Sequence, residues 1–121
     1  MKLTYSASAA RVAPGDTVTL IAEIDVGPGL HVYAPAVEHG YIPIAWNVKD
    51  AGPVAYPAPR IMEFAALKEI VPVYEGHLRL TRETKVADAI VEGSFRYQAC
   101  NDRECFPPRT LPMKWTFQVQ R

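Results

Sequence analysis

Proline occurs eleven times among the 121 residues of this chain, and this frequency restricts the fold more than any other feature. A proline inside a helix removes one backbone hydrogen bond and clashes with the preceding turn, so long helices are disfavoured. The sequence predicts one short helix, over Met62 to Lys68. The rest of the chain is expected to consist of short strands and turns.

Apolar and polar residues alternate in the segments between the turn-forming residues, as strands with one buried face require. The clearest run is Thr17 to Val26. Further strands are predicted over 2–9, 30–33, 44–48, 77–81 and 94–99, with a final inward row from Met113 to Val119. Seven or eight such strands indicate an all-β fold, an immunoglobulin-like β-sandwich of two antiparallel sheets. The predicted core contains Val18, Leu20, Ile24, Trp46, Leu78, Leu80, Phe95, Tyr97, Trp115 and Phe117.

Length and charge exclude several classes of protein. The chain has the length of one domain, residues 1–121, and its thirteen basic and thirteen acidic residues cancel, so no electrostatic footprint for nucleic acid or an anionic membrane is expected. No apolar run approaches the roughly 20 residues of a membrane span. The chain starts Met-Lys-Leu-Thr-Tyr, and polar residues this early predict no signal peptide in this sequence. This start fits either a cytoplasmic protein or a mature domain excised from a longer precursor.

The two cysteines of the chain, Cys100 and Cys105, have four residues between them. Closing so short a loop stabilises a fold by at most about 2–3 kcal/mol, so a disulfide here is a poor staple and a plausible redox couple. Phe95, Tyr97 and Ala99 face inward in the predicted strand, which places Cys100 on the outer face at the strand end. We expect the cysteines to face each other across a hairpin, with Cα atoms about 4.4–6.8 Å apart, where a partner can reach the bridge.

The cysteine loop resembles the redox hairpin of a known family. Tyr97-Gln98-Ala99-Cys100, followed by Cys105-Phe106-Pro107-Pro108, is similar to that hairpin in the amino-terminal periplasmic domain of the DsbD thiol:disulfide interchange family. Upstream, residues 29–33 resemble the strand beside the family's active site, and Glu63-Phe64 resembles the acidic-Phe pair of its cap loop. Residues 73–80 resemble the segment that leads into the next strand. The resemblance covers roughly Asp16 to Val119.

This resemblance implies a periplasmic relay of electrons. A thioredoxin-like donor domain would reduce the Cys100–Cys105 disulfide, and the dithiol would reduce thioredoxin-fold partners such as disulfide isomerases or cytochrome c maturation factors. Such a domain is a protein-disulfide reductase component without a cofactor or metal, expected to be monomeric and attached to a membrane only through other parts of a longer protein. Cys105 resembles the thiol that forms the mixed disulfide and Cys100 the resolving thiol. The resemblance implies a lid and pocket made of Glu63, Phe64, His31, Tyr33 and Phe106, with Phe64 covering the disulfide.

Three features depart from the family pattern. The loop between the cysteines is one residue shorter than in the best-known members, His31 stands where a phenol is typical, and residues 65–72 are longer than a minimal cap. One alternative is a non-catalytic immunoglobulin-like interaction module with a structural hairpin disulfide, for which a redox potential below about −300 mV is expected. Another is a soft-metal site. Its ligands would come from His31, His39, His77, Met62, Met113, Cys100 and Cys105, in a spacing that matches no known motif.

Overall fold

The computed structural model of the protein describes residues 1–38, 40–64 and 69–120, without the side chain of Phe64. Within these ranges all the regular elements are strands, and none is a helix able to cross a membrane. The strands are β1 (Lys2–Ala7), β2 (Arg11–Val12), β3 (Asp16–Asp25), β4 (Val32–Tyr33), β5 (Ala45–Val48), β6 (Arg60–Phe64), β7 (Glu69–Tyr74), β8 (His77–Val86), β9 (Ile90–Tyr97), β10 (Arg109–Thr116) and β11 (Gln118–Val119).

Two antiparallel three-stranded sheets enclose the main core. One has the strand order β1-β3-β8 and the other β10-β9-β5, while β11 pairs in parallel with β2. All ten of the predicted core residues are buried, and they belong to one hydrophobic cluster that draws on both sheets. The prediction of an all-β, immunoglobulin-like sandwich is confirmed.

Strand β3 shows why the alternating pattern predicts the core. It pairs with β8 over its whole length, from Asp16 opposite Val86 to Asp25 opposite His77, and it also pairs with β1. Its buried and partly exposed residues alternate along the strand, as a strand with one face on the core requires. In β1, Tyr5 is 39% exposed, although it lies on the same face of the strand as the partly buried Leu3 and Ala7. As β1 is the edge strand of its sheet, Tyr5 covers only the rim of the core, edge-on to Trp115.

A third sheet, with the order β4-β7-β6, is called here the cap sheet. Its buried residues form a second hydrophobic cluster, which consists of Tyr33, Val71, Val73 and Cys100. Met62 packs against this cluster from β6. The predicted helix over 62–68 is therefore wrong at its start, because Met62 pairs with Val71 in a strand; residues 65–68 lie outside the described residues. The cap sheet places a second apolar layer beside the cysteines.

Candidate functional site: the Cys100–Cys105 disulfide

Cys100 and Cys105 form a disulfide in the connection between β9 and β10. The S–S distance is 2.06 Å, and the two residues pair as an isolated antiparallel bridge. The predicted hairpin arrangement is therefore present. The Cα atoms are 4.0 Å apart, closer than the range expected from the sequence. The antiparallel backbone pairing of the two residues brings them this close.

The polar loop between the cysteines is closed by Asn101. Its side-chain oxygen accepts hydrogen bonds from the backbone N–H groups of Arg103 and Glu104, both at 2.8 Å. Its own N–H donates to the carbonyl of Glu104 at 2.9 Å. Asparagine favours such turns because its short side chain can replace a backbone acceptor. The four-residue loop is thus a tight turn that starts immediately after Cys100.

Cys100 is also paired on its other side. The N–H of His31 donates to the carbonyl of Cys100 at 2.9 Å, and the N–H of Cys100 donates to the carbonyl of His31 at 3.0 Å. The backbone of Cys100 therefore lies between the segment that leads into β4 and the segment that holds Cys105. This pairing positions His31 and Tyr33 at the disulfide.

The two halves of the disulfide differ in burial. Cys100 is 1% exposed, whereas Cys105 belongs to the exposed residues. The predicted register is correct, since Ala99 lies in the main core and Cys100 belongs to the cluster on the other side. The cap sheet covers the outer face of β9 at this point, so Cys100 is buried there although it lies on the predicted face. Cys105 is the exposed end of the bridge.

Tyr33 and His31 line the site beneath the exposed sulfur. The hydroxyl of Tyr33 lies 3.9 Å from Cys105 Sγ, and the Nε2 atom of His31 lies 3.2 Å from that hydroxyl. Both side chains are buried, at 1% and 2% exposure, and their rings meet edge-on. Burial raises the pKa of Tyr33 to about 12, with Tyr41 and Glu69 adding to the effect. Burial lowers the pKa of His31, while Glu75 and Asp102 act in the opposite direction.

Sequence reasoning missed Tyr41 and Glu69. The ring of Tyr41 stacks on that of Tyr33, with centroids 4.6 Å apart, and its hydroxyl donates to Glu69 at 2.8 Å. This hydrogen bond raises the pKa of Tyr41. Neither residue has a sequence signal, since Tyr41 lies in a proline-containing stretch without alternation and Glu69 in the cap segment of unusual length.

Of the remaining predicted site residues, two are exposed and one has a side chain that lies outside the described residues. Glu63 is exposed on β6, and Phe106 is 42% exposed directly after Cys105. The side chain of Phe64, predicted to cover the disulfide, lies outside the described residues, although its backbone ends β6 opposite Glu69.

The residues of the soft-metal alternative are held by ordinary contacts where they are described. The Nδ1 atom of His77 lies 2.8 Å from Asp25, and Met113 packs in the main core. His39 lies outside the described residues. His31 and Met62 do line a common groove of about 540 Å³, together with Glu75 and Asp102. The groove is open to solvent, and neither cysteine is among the described residues that line it.

The chain was compared with known protein families and with solved structures. The family described as "Thiol:disulfide interchange protein DsbD, N-terminal" matches residues 3–115. The solved N-terminal domain of DsbD from Neisseria meningitidis, in the reduced form, is 16% identical over 96% of this chain and 85% of that chain, with a TM-score of 0.63. The N-terminal periplasmic domain of ScsB from Proteus mirabilis is 17% identical over 94% of this chain and 46% of that chain, with a TM-score of 0.68.

At these identities the two solved structures show a shared fold. No curated protein matches the chain. The family match extends over nearly the whole sequence and includes the disulfide, which supports thiol–disulfide exchange as the general activity. The chain therefore belongs to the family of N-terminal domains of the thiol:disulfide interchange protein DsbD.

Proposed function

We propose that this domain relays electrons from a thioredoxin-like donor domain to oxidised thioredoxin-fold partners. The observation that carries the proposal is the disulfide between one buried and one exposed cysteine, in a chain of this family. A structural disulfide of an immunoglobulin domain joins the two sheets through the core. The Cys100–Cys105 bridge instead closes a short turn, where exchange chemistry has access to one end.

The relay consists of two exchanges. In the first, a donor thiolate attacks Cys105 Sγ, the Cys100–Cys105 bond breaks, and Cys100 leaves as a thiolate. The donor's second thiolate then attacks the mixed disulfide, so the donor is oxidised and Cys105 is released as a thiolate. Two electrons have now passed to the domain.

In the second exchange, the Cys105 thiolate attacks the disulfide of an oxidised partner, and one partner thiolate leaves. The Cys100 thiolate then attacks Cys105 Sγ in the mixed disulfide, and the second partner thiolate leaves. The partner is reduced, and the domain disulfide is restored. The assignment of Cys105 as the attacking thiol is supported by its exposure, since a large partner has little access to a residue that is 1% exposed, as Cys100 is.

The cap sheet has a proposed role in this scheme. Phe64 follows Glu63 at the end of β6, and we place its ring over the disulfide as a lid that partners displace before attack. Phe106 would contribute to the docking rim, since it is exposed next to Cys105.

The proposed setting is the periplasm, where disulfide exchange of this type occurs, and the ScsB relative is described as a periplasmic domain. Residues 1–121 would be one monomeric domain of a longer, membrane-anchored protein, and the other parts of that protein would supply the donor. The acceptors would be thioredoxin-fold proteins such as disulfide isomerases or cytochrome c maturation factors.

Covalent trapping tests the proposal. The reduced Cys100→Ala variant is mixed with an oxidised thioredoxin-fold protein and examined on a non-reducing gel. We expect a mixed disulfide to accumulate, because no thiol is present to resolve it. Cys105→Ala is the matched control and should form little or no complex. Wild-type domain should form the complex only transiently while the partner becomes reduced.

Two outcomes contradict the proposal. Trapping through Cys100 rather than Cys105 would reverse the assigned roles. A failure of Cys100→Ala to trap any member of a panel of thioredoxin-fold proteins would favour the interaction module with a structural disulfide.

A further inference from the structure

A short polar path leads inward from the exposed sulfur. From Cys105 Sγ it runs 3.9 Å to the hydroxyl of Tyr33 and a further 3.2 Å to the Nε2 atom of His31. Both side chains are almost completely buried, so bulk water has little access to the path. A buried hydroxyl between a sulfur and an imidazole can donate to one while it accepts from the other.

The Cys105 thiol must lose its proton before it can attack a disulfide. The thiolate is the nucleophile, and a free cysteine with a pKa of about 8.5 is mostly protonated near neutral pH. Many reactive cysteines obtain a lower pKa from a helix N-terminus. Residues 98–108, all of which the structure describes, contain no helix, so no helix N-terminus within this segment lowers the pKa of the Cys105 thiol.

We propose that His31 is a positioning residue that exchanges a proton with the Cys105 thiol through the hydroxyl of Tyr33. The inference rests on the proposed function, because it assigns a proton path to the same exchange reaction. It names a role for His31 that follows from its contact with Tyr33 rather than from contact with a partner protein.

The proton step balances without any other reactant. The Cys105 S–H gives its proton to the Tyr33 oxygen while the Tyr33 hydroxyl proton passes to His31 Nε2. The products are a thiolate at Cys105 and an imidazolium at His31, and Tyr33 is unchanged. The ring proton of neutral His31 must then reside on Nδ1. When Cys105 is later a leaving group, the same path returns the proton to its sulfur.

Burial affects the two buried groups of the path in different ways. Burial raises the pKa of Tyr33 to about 12, so this phenol keeps a proton and acts only as a conduit. Burial lowers the pKa of His31, so its imidazole is neutral and able to accept a proton near pH 7.

The other charged and titratable groups around the path come from several elements. Tyr41 stacks on Tyr33 and donates to Glu69, while Glu75 and Asp102 face His31 and favour its protonated form. Across the groove, the Nδ1 atom of His77 lies 2.8 Å from a carboxylate oxygen of Asp25, and Arg60 pairs with Glu75. The carboxylates near His31 therefore stabilise the imidazolium that the proton step produces.

The test uses the reaction of a single thiol with a small disulfide. In the Cys100→Ala background, the second-order rate constant with 5,5′-dithiobis(2-nitrobenzoate) is measured between about pH 5 and pH 9, a range that spans the ordinary histidine and cysteine pKa values. We expect His31→Gln, which keeps a hydrogen-bonding group but cannot titrate, to slow the reaction about tenfold at pH 7, as a rise of one unit in the thiol pKa requires. It should also remove the lower of two inflections in the pH–rate profile.

Tyr33→Phe interrupts the path and should have the same effect as His31→Gln. The double variant should be no slower than either single variant, because both remove one path. The matched control is Tyr5→Phe. The hydroxyl of Tyr5 accepts a hydrogen bond from the backbone N–H of Lys114 and lies outside the site. The profile of Tyr5→Phe should equal that of the parent.

The inference would be overturned if both His31→Gln and Tyr33→Phe had the pH–rate profile of the parent. It would also be overturned if Tyr33→Phe reacted more slowly while His31→Gln reacted at the parent rate. If a variant does not fold, NMR titration of His31 in the reduced Cys100→Ala domain replaces it. The midpoint of the His31 titration should differ from the midpoint in the double variant Cys100→Ala/Cys105→Ser, which lacks the thiol. Equal midpoints in the two proteins would contradict the proposed proton path. The trapping experiment with thioredoxin-fold partners tests the proposed function and not the proton path. Loss of the proton path should slow the formation of the mixed disulfide without preventing it.

Discussion

The backbones of His31 and Cys100 exchange two hydrogen bonds, at 2.9 and 3.0 Å. This pair joins the redox hairpin to the segment that leads into β4, and it places the buried sulfur under the cap sheet. Cys105 is an exposed residue. The disulfide therefore joins one buried cysteine to one exposed cysteine.

We expect the two thiols to differ in their rates of alkylation. In Cys100→Ala, the remaining Cys105 thiol should react with iodoacetamide at least about tenfold faster than the Cys100 thiol in Cys105→Ala, because access of the reagent limits reaction at a buried sulfur. Mass spectrometry of quenched samples measures both rates. In concentrated guanidinium chloride the two rates should converge, and a difference that persists there would refute burial as its cause.

Val71→Ala should loosen the cap sheet more than the sandwich. Val71 is completely buried against Cys100 and Tyr33, and loss of two methyl groups there costs about 2 kcal/mol of local packing. We expect faster reduction of the disulfide by dithiothreitol. Val18→Ala in the main core is the matched control, which should lower the free energy of unfolding by a similar amount without faster reduction. Equal reduction rates for the two variants would show that the cap sheet does not protect the bridge.

Phe64→Ala tests the lid that the family resemblance implies. If the ring covers the disulfide, its removal should speed reduction by a small thiol several-fold and leave the unfolding free energy within about 1 kcal/mol of the parent value. Ile61→Ala provides the control, since Ile61 lies on the same strand and is 59% exposed. The lid is to be discarded if both variants are reduced at the parent rate.

Of the two arginines in β8, Arg82 should contribute more than Arg79 to the free energy of unfolding. Its guanidinium donates to the carbonyls of Trp46 and Gly52 and lies 5.5 Å from the centroid of the Trp46 ring. Arg82→Met keeps much of the stem but leaves these acceptors unpaired, so we expect a loss of about 2–3 kcal/mol in urea unfolding. Arg79→Met on the same strand removes only an exposed ion pair with Glu23 and should change stability by less than about 1 kcal/mol. Equal effects of the two variants would contradict this account.

The main core was predictable because it depends on local periodicity. Strands with one face on a core alternate strictly, and residues such as Leu20 and Phe95 follow that rule. The cap sheet was not predictable in this way. Its strands are short, β7 contains Pro72, and the pairing of Met62 with Val71 gives no periodic signal that separates a strand from one helical turn.

The site was predictable in part for the same reason. Alternation placed Cys100 on the face opposite Ala99, yet its burial depends on a sheet whose packing no local pattern reveals. The family resemblance predicted that His31 and Tyr33 line the pocket of the disulfide. In the structure Tyr33 contacts Cys105 Sγ, and His31 contacts Tyr33. Tyr41 reaches the site by a tertiary contact alone, stacked on Tyr33.

The backbone bonds around the cysteines bear on the change between oxidised and reduced forms. Besides the bonds to His31, the N–H of Phe106 donates to the carbonyl of Ala99, and Asn101 closes the turn between the sulfurs. None of these bonds includes a sulfur atom, so cleavage of the disulfide removes none of them. We expect backbone amide chemical shifts beyond the turn to remain nearly constant on reduction. Electron transfer would then require little reorganisation of the domain, and donor and acceptor would meet the same surface in turn.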